Sequence, residues 1–286
     1  MAMADLVNYE GKRVLVVGGA TGMGGASAKR ASALGAHTIV MDIAPVAFEC
    51  GQYINVDLSN RASVDAAIEA IDGPIHAVLS CAGVADGAGT LMLINFISQR
   101  HIVEELIRTQ KLGRGGAVAF ISSGAALAWM NHLEQLQDFL ATPDWDSAAA
   151  WVDEHEGTNN YSFSKQVMNA YVAGQAFNFI QKGIRINGIM PAATDTPLAQ
   201  ANKDVWLSFG AAYREAADLP VMQPEEMGDT LLFLCSDAAK GINGSILIVD
   251  QGHMNASLVD AFNDPIPKAI AEMIEFDPAA MLGVED

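Results

Sequence analysis

Short continuous apolar runs alternate with longer segments of helical periodicity along most of the chain. Apolar runs without intervening polar residues are typical of strands that are covered on both faces in a parallel sheet. Segments with apolar residues every three or four positions are typical of the helices that cover such a sheet. The pattern predicts strands at 13–17, 37–42, 52–57, 76–83, 116–123, 184–191 and 245–250, and helices at 26–34, 63–71, 91–110, 161–181 and 224–236.

This alternation predicts one α/β domain over residues 1–286, built on a doubly wound, parallel, seven-stranded sheet of the Rossmann type with helices on both faces. Two segments depart from the alternation. Residues 124–158 are polar and bear tryptophans, and we interpret them as a helical insertion between the fifth strand and the helix at 161–181. Residues 253–286 form a C-terminal tail with one amphipathic stretch, made of Ile266, Ile270, Met273 and Ile274.

The composition narrows the classes of protein and of partner. Of the 286 residues, 51% are hydrophobic and 17% are charged, which is enough to bury a large core and excludes a disordered chain. Sixteen Lys and Arg stand against 34 Asp and Glu, for a formal charge of −18. This balance argues against nucleic acid or an anionic membrane as the partner. The positive mean hydropathy is typical of a large core or of an oligomer interface.

Signals for membrane insertion, export and metal binding are also missing from the sequence. No apolar run reaches about 18 residues, so we expect no transmembrane helix. Residues 1–13 lack the apolar stretch of a signal peptide. Cys50, Cys81 and Cys235 are scattered without a CxxC pair, which favours reduced thiols in the cytoplasm. The six histidines have no metal-ligand spacing, so we expect no metal.

A glycine cluster lies between the first predicted strand and the first predicted helix. Gly18, Gly22 and Gly24 fit a GxxxGxG spacing, whereas Gly19, Gly22 and Gly25 fit GxxGxxG. Glycines allow a tight turn and close approach of a pyrophosphate, and the helix N-terminus supplies free N–H groups and the positive end of a dipole. The cluster therefore predicts a nucleotide-phosphate site.

Two acidic residues follow the next strands. Asp42 ends the second strand, where a carboxylate accepts both ribose hydroxyls of an adenosine and repels a 2′-phosphate. No Arg or Lys lies in the glycine turn or just after Asp42, so the sequence favours NAD over NADP. Asp57 ends the third strand, where it either contacts the adenine edge or is simply solvated.

A candidate catalytic set is spread over three predicted elements. Tyr161 and Lys165 are four residues apart and so share one face of a helix. A neighbouring ammonium and a cationic nicotinamide are expected to lower the tyrosine pKa from its usual value of about 10. Ser123, at the end of the fifth strand, could hydrogen-bond a substrate carbonyl, and Asn95 lies early in the helix after the fourth strand.

Over residues 10–252 the chain resembles the short-chain dehydrogenases/reductases. The family's TGxxxGxG motif appears at 17–24 with Val17 in place of Thr, and its NNAG motif appears at 80–83 as Ser-Cys-Ala-Gly, with both Asn lost. Its PGxxxT motif appears at 191–196 with Ala192 in place of Gly. Its helix asparagine, strand-end serine and YxxxK motif match Asn95, Ser123, Tyr161 and Lys165.

The resemblance implies a role for each matched residue. Tyr161 would exchange a proton with the substrate oxygen during hydride transfer, and Ser123 would position that oxygen. Lys165 would lower the tyrosine pKa and bind the nicotinamide ribose, and Asn95 would hold a water that links Lys165 to solvent. The four-residue Tyr–Lys spacing also separates the chain from enoyl reductases. The implied NAD-binding residues are Gly18, Thr21, Gly22, Met23, Gly24, Asp42, Asp57, Leu58, Cys81, Ala82, Gly83, Tyr161, Lys165, Pro191, Thr194 and Thr196.

A subgroup resemblance implies a substrate class. The CAG step at 81–83, the ISS step at 121–123 and the long insertion before Tyr161 are similar to bacterial 3α-hydroxysteroid dehydrogenase/carbonyl reductases and coniferyl alcohol dehydrogenases. They imply an NAD-dependent oxidoreductase acting on a bulky apolar secondary alcohol or ketone, such as a steroid or terpenoid. An aryl-allylic alcohol and a non-catalytic nucleotide-sensing role are the alternatives.

The insertion and the tail leave further alternatives open. The tail helix around Ile266–Ile274 covers either the site or a partner subunit, or it is a terminus docked on the surface. In the subgroup the insertion obstructs one of two subunit contacts, which favours a homodimer over a homotetramer. The apolar residues of the insertion line either a substrate entrance or an ordinary core. Residues after the sixth strand, Trp206, Phe209 and Tyr213, form either a lid or plain packing.

Overall fold

The sheet carries all seven predicted strands, and every pairing is parallel. The computed structural model describes residues 6–272. The strand order is β3-β2-β1-β4-β5-β6-β7, so the chain winds outward from β1 in one direction and then from β4 in the other. The strands are β1 (Arg13–Val17), β2 (His37–Asp42), β3 (Gln52–Asn55), β4 (Ile75–Ser80), β5 (Leu112–Ile121), β6 (Arg185–Pro191) and β7 (Ile246–Val249).

Helices cover both faces of the sheet, because successive strand residues point to opposite sides. In β1, Val14 and Val16 pack against one set of helices, and Leu15 and Val17 against the other. The helices are α1 (Gly22–Ala33), α2 (Arg61–Glu69), α3 (Ser98–Arg108), α4 (Leu133–Leu140), α5 (Trp145–Glu154), α6 (Tyr161–Gln181), α7 (Pro197–Ala201), α8 (Lys203–Trp206), α9 (Ala211–Ala216), α10 (Pro224–Cys235), α11 (His253–Leu258) and α12 (Pro265–Glu272). Helices α1 and α10 cover one face, and α2, α3 and α6 the other.

The winding direction reverses between β1 and β4, and this places the carboxyl ends of those two strands side by side. Val17 pairs with Ser80 in the β1–β4 ladder. In doubly wound sheets the crevice outside such a reversal is where ligands bind. The loops after β1 and β4 are therefore the expected location of a ligand-binding site.

Several predicted boundaries differ from the structure. The predicted helix at 91–110 is two elements, a π-helical turn at Leu93–Ile97 and then α3. Helix α1 begins at Gly22, inside the glycine cluster, where helix propensity is lowest. Strand β5 begins at Leu112, whereas the prediction began at 116. The glycines in its first residues interrupt the apolar pattern, so the sequence did not indicate a strand there. Strand β5 ends at Ile121, so Ser123 lies two residues beyond it.

Most apolar side chains of α4 and α5, within the segment 124–158, contribute to the core. Phe139 of α4 is fully buried, and its ring lies 5.1 Å from that of Trp151 on α5 and 5.9 Å from that of Phe163 on α6. Arg61 of α2 binds Asp146 of α5 at 2.5 Å. The core alternative therefore holds for the apolar residues that α4 and α5 share with the sheet, namely Leu136, Phe139, Trp145 and Trp151.

Two of the four residues in the amphipathic stretch of the tail lie within the described residues. Ile266 and Ile270 lie on α12, whereas Met273 and Ile274 lie outside the described residues. Within residues 6–272, none of the helices is both long and apolar enough to cross a membrane. The same part of the chain holds no cluster of three or more His, Cys, Asp or Glu side chains suited to a metal.

Candidate active site

The turn between β1 and α1 depends on glycine at two close contacts. Gly18 has φ of +76°, and a Cβ there would lie 2.5 Å from the backbone of Ala82. A Cβ on Gly24 would collide with the carbonyl oxygen of Gly18. Gly22 belongs to both possible alignments, so the contacts at Gly18 and Gly24 are the ones that favour GxxxGxG over the alignment through Gly19 and Gly25.

The first turn of α1 is open to an anion. Thr21 precedes the helix, but its side chain makes no capping hydrogen bond, and the first turn contains no acidic residue. The N–H groups of Gly22, Met23 and Gly24, at the positive end of the helix dipole, therefore have no capping side chain as acceptor. This donor set fits a pyrophosphate.

Asp42 is fixed beside this turn. One carboxylate oxygen accepts a hydrogen bond from the N–H of Ala20 at 2.9 Å, and the other accepts one from Ala44 at 2.9 Å. Because the N–H of Ala20 lies within the glycine turn, the carboxylate at the end of β2 is held against the predicted phosphate site. This position suits recognition of an adenosine ribose.

Asp57 and Leu58 are less engaged with the site. Asp57 accepts hydrogen bonds from the N–H of Ser59 at 2.9 Å and from its hydroxyl at 2.6 Å, and both bonds lower the pKa of the carboxyl. The side chain of Leu58 packs into the hydrophobic core. Any cofactor contact by Leu58 would therefore come from its backbone.

The turn after β4 is held by Gln99, a residue that the sequence did not single out. The N–H of Cys81 donates to the carbonyl of Val17 at 2.8 Å and so extends the β1–β4 ladder. Gln99 is fully buried, donates to the carbonyl of Ala82 at 2.9 Å and accepts a hydrogen bond from the hydroxyl of Ser80. These bonds hold the turn in a chain that lacks both asparagines of the NNAG motif.

Asn95 lies in the π-helical turn and is fully buried. Its side chain accepts a hydrogen bond from the N–H of Val84 at 2.8 Å and donates to the Val84 carbonyl at 3.1 Å. A Cβ on Gly83 would lie 3.7 Å from Asn95 Oδ1 and 3.8 Å from Lys165 Nζ. Asn95 and Lys165 therefore approach the same glycine from two sides.

Ser123, Tyr161 and Lys165 line one cavity of about 200 Å³. Tyr161 is the first residue of α6, whose start is capped by Asn160 accepting the N–H of Phe163 at 2.8 Å. Lys165 follows one turn later, with Nζ 5.5 Å from the centroid of the Tyr161 ring. Its ammonium donates to the carbonyl of Ile121 at 2.8 Å, which anchors it to the end of β5.

Burial dominates the ionisation of Tyr161 and Lys165. Burial raises the pKa of Tyr161 to about 12; a hydrogen bond with Ser123 opposes the shift, and the charge of Asp86 adds to it. In the described structure, desolvation of the phenolate outweighs the hydrogen bond with Ser123. The expected lowering, which combined Lys165 with a cationic nicotinamide, stays a prediction. Burial also lowers the pKa of Lys165 to about 8.

The thiol of Cys81 lines the cavity, and its surroundings disfavour the thiolate. Burial is the largest cause that raises its pKa to about 12, and the charge of Lys165 offsets only part of this. Nucleophilic cysteines have lowered pKa values. The structure therefore favours a packing role for Cys81.

The segment after β6 lies next to the glycine turn. A Cβ on Gly22 would lie 3.5 Å from that of Thr196. The hydroxyl of Thr196 accepts the N–H of Ala199 at 3.1 Å and caps α7, while Thr194 donates to the carbonyl of Ala192 at 2.9 Å. Both threonines are buried at the cavity wall.

The predicted site residues fall into two groups. Those that line the cavity are Met23, Cys81, Ala82, Gly83, Ser123, Tyr161, Lys165, Pro191, Thr194 and Thr196. The others are not among the residues that line it: Gly18, Thr21, Gly22, Gly24, Asp42, Asp57, Leu58 and Asn95.

Sequence reasoning missed Asp86 but anticipated part of the distal wall, because Trp206 and Phe209 after β6 and the tail helix around Ile266 were each considered as covers of the site. Asp86 lines the cavity three residues after the CAG step, and its carboxylate accepts the N–H of Tyr161 at 2.7 Å. The Trp206 ring lies 5.0 Å from that of Tyr161. This distal wall is formed by Leu198, Val205, Trp206 and Phe209 from the segment after β6, and by Ile266 and Ile270 from α12.

Two family models match the chain and together span most of it. A model described as short chain dehydrogenase matches residues 12–134. A model described as Enoyl-(Acyl carrier protein) reductase matches residues 147–254. The first covers the glycine turn and the loops after β2 to β5, and the second covers Tyr161, Lys165 and the segment after β6.

Similar proteins and structures agree with these matches. The 3-alpha-hydroxysteroid dehydrogenase/carbonyl reductase of Comamonas testosteroni is 28% identical over 256 residues, covering 84% of this chain and 95% of that protein. The coniferyl-alcohol dehydrogenase of a Pseudomonas strain is 22% identical over 249 residues, covering 84% and 96%. The solved 3-alpha-hydroxysteroid dehydrogenase from Pseudomonas sp. B-0831, complexed with NADH, has a TM-score of 0.70 at 22% identity, covering 88% of this chain and all of that one.

Proposed function

Because this chain belongs to the short-chain dehydrogenase/reductase family of oxidoreductases, we propose that it interconverts a secondary alcohol and a ketone with NAD as the hydride carrier. The observation that carries the proposal is the set of Ser123, Tyr161 and Lys165 around one cavity, with Lys165 Nζ 5.5 Å from the Tyr161 ring centroid. A phenol, a hydroxyl and an ammonium converging on an otherwise apolar space suit chemistry at a carbonyl oxygen.

The residues around the cavity fit a nicotinamide dinucleotide. The open first turn of α1 would hold its pyrophosphate, and the loop after β4 and the segment 191–196 would flank its nicotinamide. Lys165 would bind the nicotinamide ribose. When bound, the cofactor supplies or accepts the hydride.

We propose NAD rather than NADP because of Asp42. Its carboxylate is held at the phosphate turn by the N–H of Ala20 and could accept both hydroxyls of an unmodified ribose. A 2′-phosphate would bring two further negative charges against it, and like charges at this range repel strongly. The chain offers no Lys or Arg in the glycine turn or just after Asp42 to offset them.

Tyr161 is the proton donor and acceptor in this proposal. A pKa raised to about 12 keeps the phenol protonated at neutral pH, so Tyr161 can donate a proton to a ketone oxygen. Oxidation of an alcohol requires the phenolate and should therefore become faster as pH rises. Ser123 would hold the reacting oxygen, and the Lys165 ammonium, anchored on Ile121, would favour loss of the Tyr161 proton.

The lining of the cavity favours a bulky apolar substrate. Aliphatic and aromatic side chains from the segment after β6 and from α12 form much of this lining. A hydroxysteroid or terpenoid alcohol is our leading candidate, and similarity to a hydroxysteroid dehydrogenase agrees with it. An aryl-allylic alcohol is the second candidate, favoured by similarity to a coniferyl-alcohol dehydrogenase.

Absorbance at 340 nm tests the activity directly. NAD and NADP are each supplied with steroid, terpenoid, aryl-allylic and small cyclic alcohols. An enoyl thioester supplied with NADH tests for enoyl reductase activity, after which the family model that matches residues 147–254 is named. We expect NADH formation with at least one bulky apolar alcohol. Tyr161→Phe should lower kcat by roughly 10²–10⁴-fold, the usual contribution of an acid–base group, with NAD affinity nearly unchanged.

Two results would redirect the proposal. A Tyr161→Phe enzyme with a rate near that of the wild type would remove Tyr161 from the chemistry. No turnover with any alcohol, while calorimetry still detects NAD binding, would support the third candidate, a non-catalytic nucleotide-sensing domain.

The proposed enzyme is a cytoplasmic homodimer, with a homotetramer as the alternative. The cysteines Cys50, Cys81 and Cys235 are free, which agrees with a reducing compartment. Strand β7 ends the sheet, and Leu247 on it is exposed, as is Phe233 on α10, which leaves apolar surface at that edge for a second subunit. Light scattering on the purified protein would give the number of subunits.

A further inference from the structure

The distal wall of the cavity comes from a part of the chain remote from Ser123, Tyr161 and Lys165. Ile266 and Ile270 lie one turn apart on one face of α12, and both line the cavity beside Phe209. We propose that α12 determines which substrates fit, and that His253 is the positioning residue that fixes this wall. The inference rests on the proposed function and names the residues that select the substrate.

Asp264 links His253 to the start of α12. One of its carboxylate oxygens accepts the N–H of Ile266 at 3.0 Å, in the first turn of the helix. The other oxygen is hydrogen-bonded to Nε2 of His253 at 2.8 Å. The side chains of His253 and Asp264 are only 5% and 10% exposed, so this bond is shielded from water and holds Ile266 at a fixed place.

The other side of the His253 ring contacts the segment after β6. Its centroid lies 5.2 Å from the rings of Phe209 and Tyr213. A Cβ on Gly210 would lie 2.8 Å from Nδ1 of His253, so the backbone there approaches the ring as closely as glycine allows. The hydroxyl of Tyr213 donates to the carbonyl of Gln251 at 2.9 Å. The buried ring of His253 thus contacts Phe209 directly and holds α12 through Asp264. Both Phe209 and α12 contribute to the wall.

The far end of α12 is held by the segment 124–158. The side-chain amide of Asn131, in the short helix Trp129–His132, donates to the carbonyl of Ala271 at 2.9 Å. Helix α12 is therefore held at its first turn through Asp264 and at its last turn through Asn131. A helix held at both ends moves little when a ligand binds, so Ile266 and Ile270 select substrates by shape.

The wall acts on the part of the substrate that is remote from the reacting carbon. Tyr161 and Ser123 supply hydroxyl groups to the cavity, and Ile266 and Ile270 supply apolar side chains from another part of the chain. With the alcohol oxygen held by Tyr161 and Ser123, a fused-ring or long aliphatic alcohol fills more of the cavity and makes more contacts with α12 than a small alcohol does. Substitutions in the wall should therefore affect large substrates and spare small ones.

Ile270→Ala tests this size dependence. With the largest alcohol that the wild-type enzyme oxidises, we expect kcat/KM to fall roughly tenfold or more, mainly through KM, as for lost methylene contacts in a pocket. With cyclohexanol we expect a change of less than about twofold. Lys268→Ala is the matched control, because Lys268 lies on the same helix but does not line the cavity, and its ion pair is with Asp260 in the turn before the helix. This variant should change neither value. Equal losses on both alcohols, or no loss on either, would overturn the proposal.

Hydrogen exchange tests the role of His253 without relying on turnover. His253→Phe keeps an aromatic ring against Phe209 and Tyr213 but cannot bind Asp264. We expect amides in 206–214 and 265–272 to exchange roughly tenfold faster or more, with β1 and β5 unchanged. Unchanged exchange in α12 would contradict the proposal.

A second variant covers general destabilisation. If His253→Phe accelerates exchange throughout the sheet, Asp264→Asn, which keeps the shape of the side chain, takes its place. Faster exchange confined to the same two segments supports the proposal, and any other pattern overturns it. Because these experiments need no substrate, a wild-type protein without turnover would contradict the proposed function and leave the wall testable.

Discussion

The carboxylate of Asp86 accepts a hydrogen bond at 2.7 Å from the backbone N–H of Tyr161, the first residue of α6. This bond joins the loop after β4 to the helix that carries Tyr161 and Lys165. It also brings a negative charge next to the phenol, and that charge raises the pKa of Tyr161, after burial, which is the larger cause. Asp86 is therefore a positioning residue that also influences when the phenol ionises.

Asp86→Asn should shift the pH dependence of alcohol oxidation to lower pH. A carboxylate that raises the tyrosine pKa disfavours the phenolate, so its removal lowers that pKa and increases the phenolate fraction at a given pH. We expect kcat for oxidation to rise roughly twofold or more on the rising limb of the profile. Asp86→Glu, which keeps the charge, should retain the wild-type profile. A shift of the Asn variant toward higher pH would contradict this.

Asp42→Asn should weaken the preference for NAD. The amide loses charge-assisted acceptance of the ribose hydroxyls and no longer repels a 2′-phosphate, so we expect kcat/KM with NAD to fall roughly 10–100-fold and the NADP to NAD ratio to rise. Steady-state kinetics with both cofactors measure the change. Glu49→Gln removes an exposed carboxylate from the loop that follows β2 and should leave the ratio unchanged. An unchanged ratio in the Asp42 variant would contradict our assignment of NAD.

Gly24→Ala should impair dinucleotide binding more than folding. Its Cβ would collide with the carbonyl oxygen of Gly18 and would push the turn away from its place at the end of β1. We expect NADH affinity, followed by NADH fluorescence, to fall roughly tenfold or more. Gly174→Ala is the matched control: it lies exposed in α6 with open space around a Cβ, and it should raise stability by roughly 0.5–1 kcal/mol without changing affinity. Wild-type NADH affinity in the Gly24 variant would argue against this site.

Phe139→Ala should destabilise the whole domain and not only the segment 124–158. The ring is fully buried among side chains of α5 and α6, so we expect a loss of about 3–5 kcal/mol in the free energy of unfolding. Urea denaturation should remain a single transition. Met130→Ala, at a side chain of the same segment that is 63% exposed, should change stability by less than about 0.5 kcal/mol. An early separate transition for the Phe139 variant would mean that the segment folds independently.

The sheet and the central part of the site could be predicted from the sequence because their signals are local. Strands buried on both faces leave continuous apolar runs, and the contacts at Gly18 and Gly24 require glycine next to a strand end. Tyr161 and Lys165 are one helical turn apart, so their proximity follows from helix geometry alone. The π-helical turn around Asn95 was missed, because its apolar periodicity hardly differs from that of an α-helix.

The rest of the site depends on contacts between distant parts of the chain. Asp86 and Tyr161 are 75 residues apart, and no periodicity or motif joins them. Gln99 stabilises the turn after β4 from α3, and α12 reaches the cavity only because Asp264 and Asn131 hold its two ends. The raised pKa of Tyr161 was equally hidden, since it depends on how completely the folded chain removes water from the phenol.

The start of α6 at Tyr161 has a consequence for how such a domain can change during evolution or engineering. Asn160 caps the helix from its own neighbouring residue, and Asp86 holds its first N–H from outside the segment 124–158. The spacing of phenol and ammonium is thus independent of how many residues separate Ser123 from Asn160. A segment of another length would keep both bonds if it also replaced the core contacts that Phe139 and Trp151 make with Phe163 on α6. The interval, together with α12, which it contacts through Asn131, is therefore the part of the chain in which new substrate contacts could be built on an unchanged reaction centre.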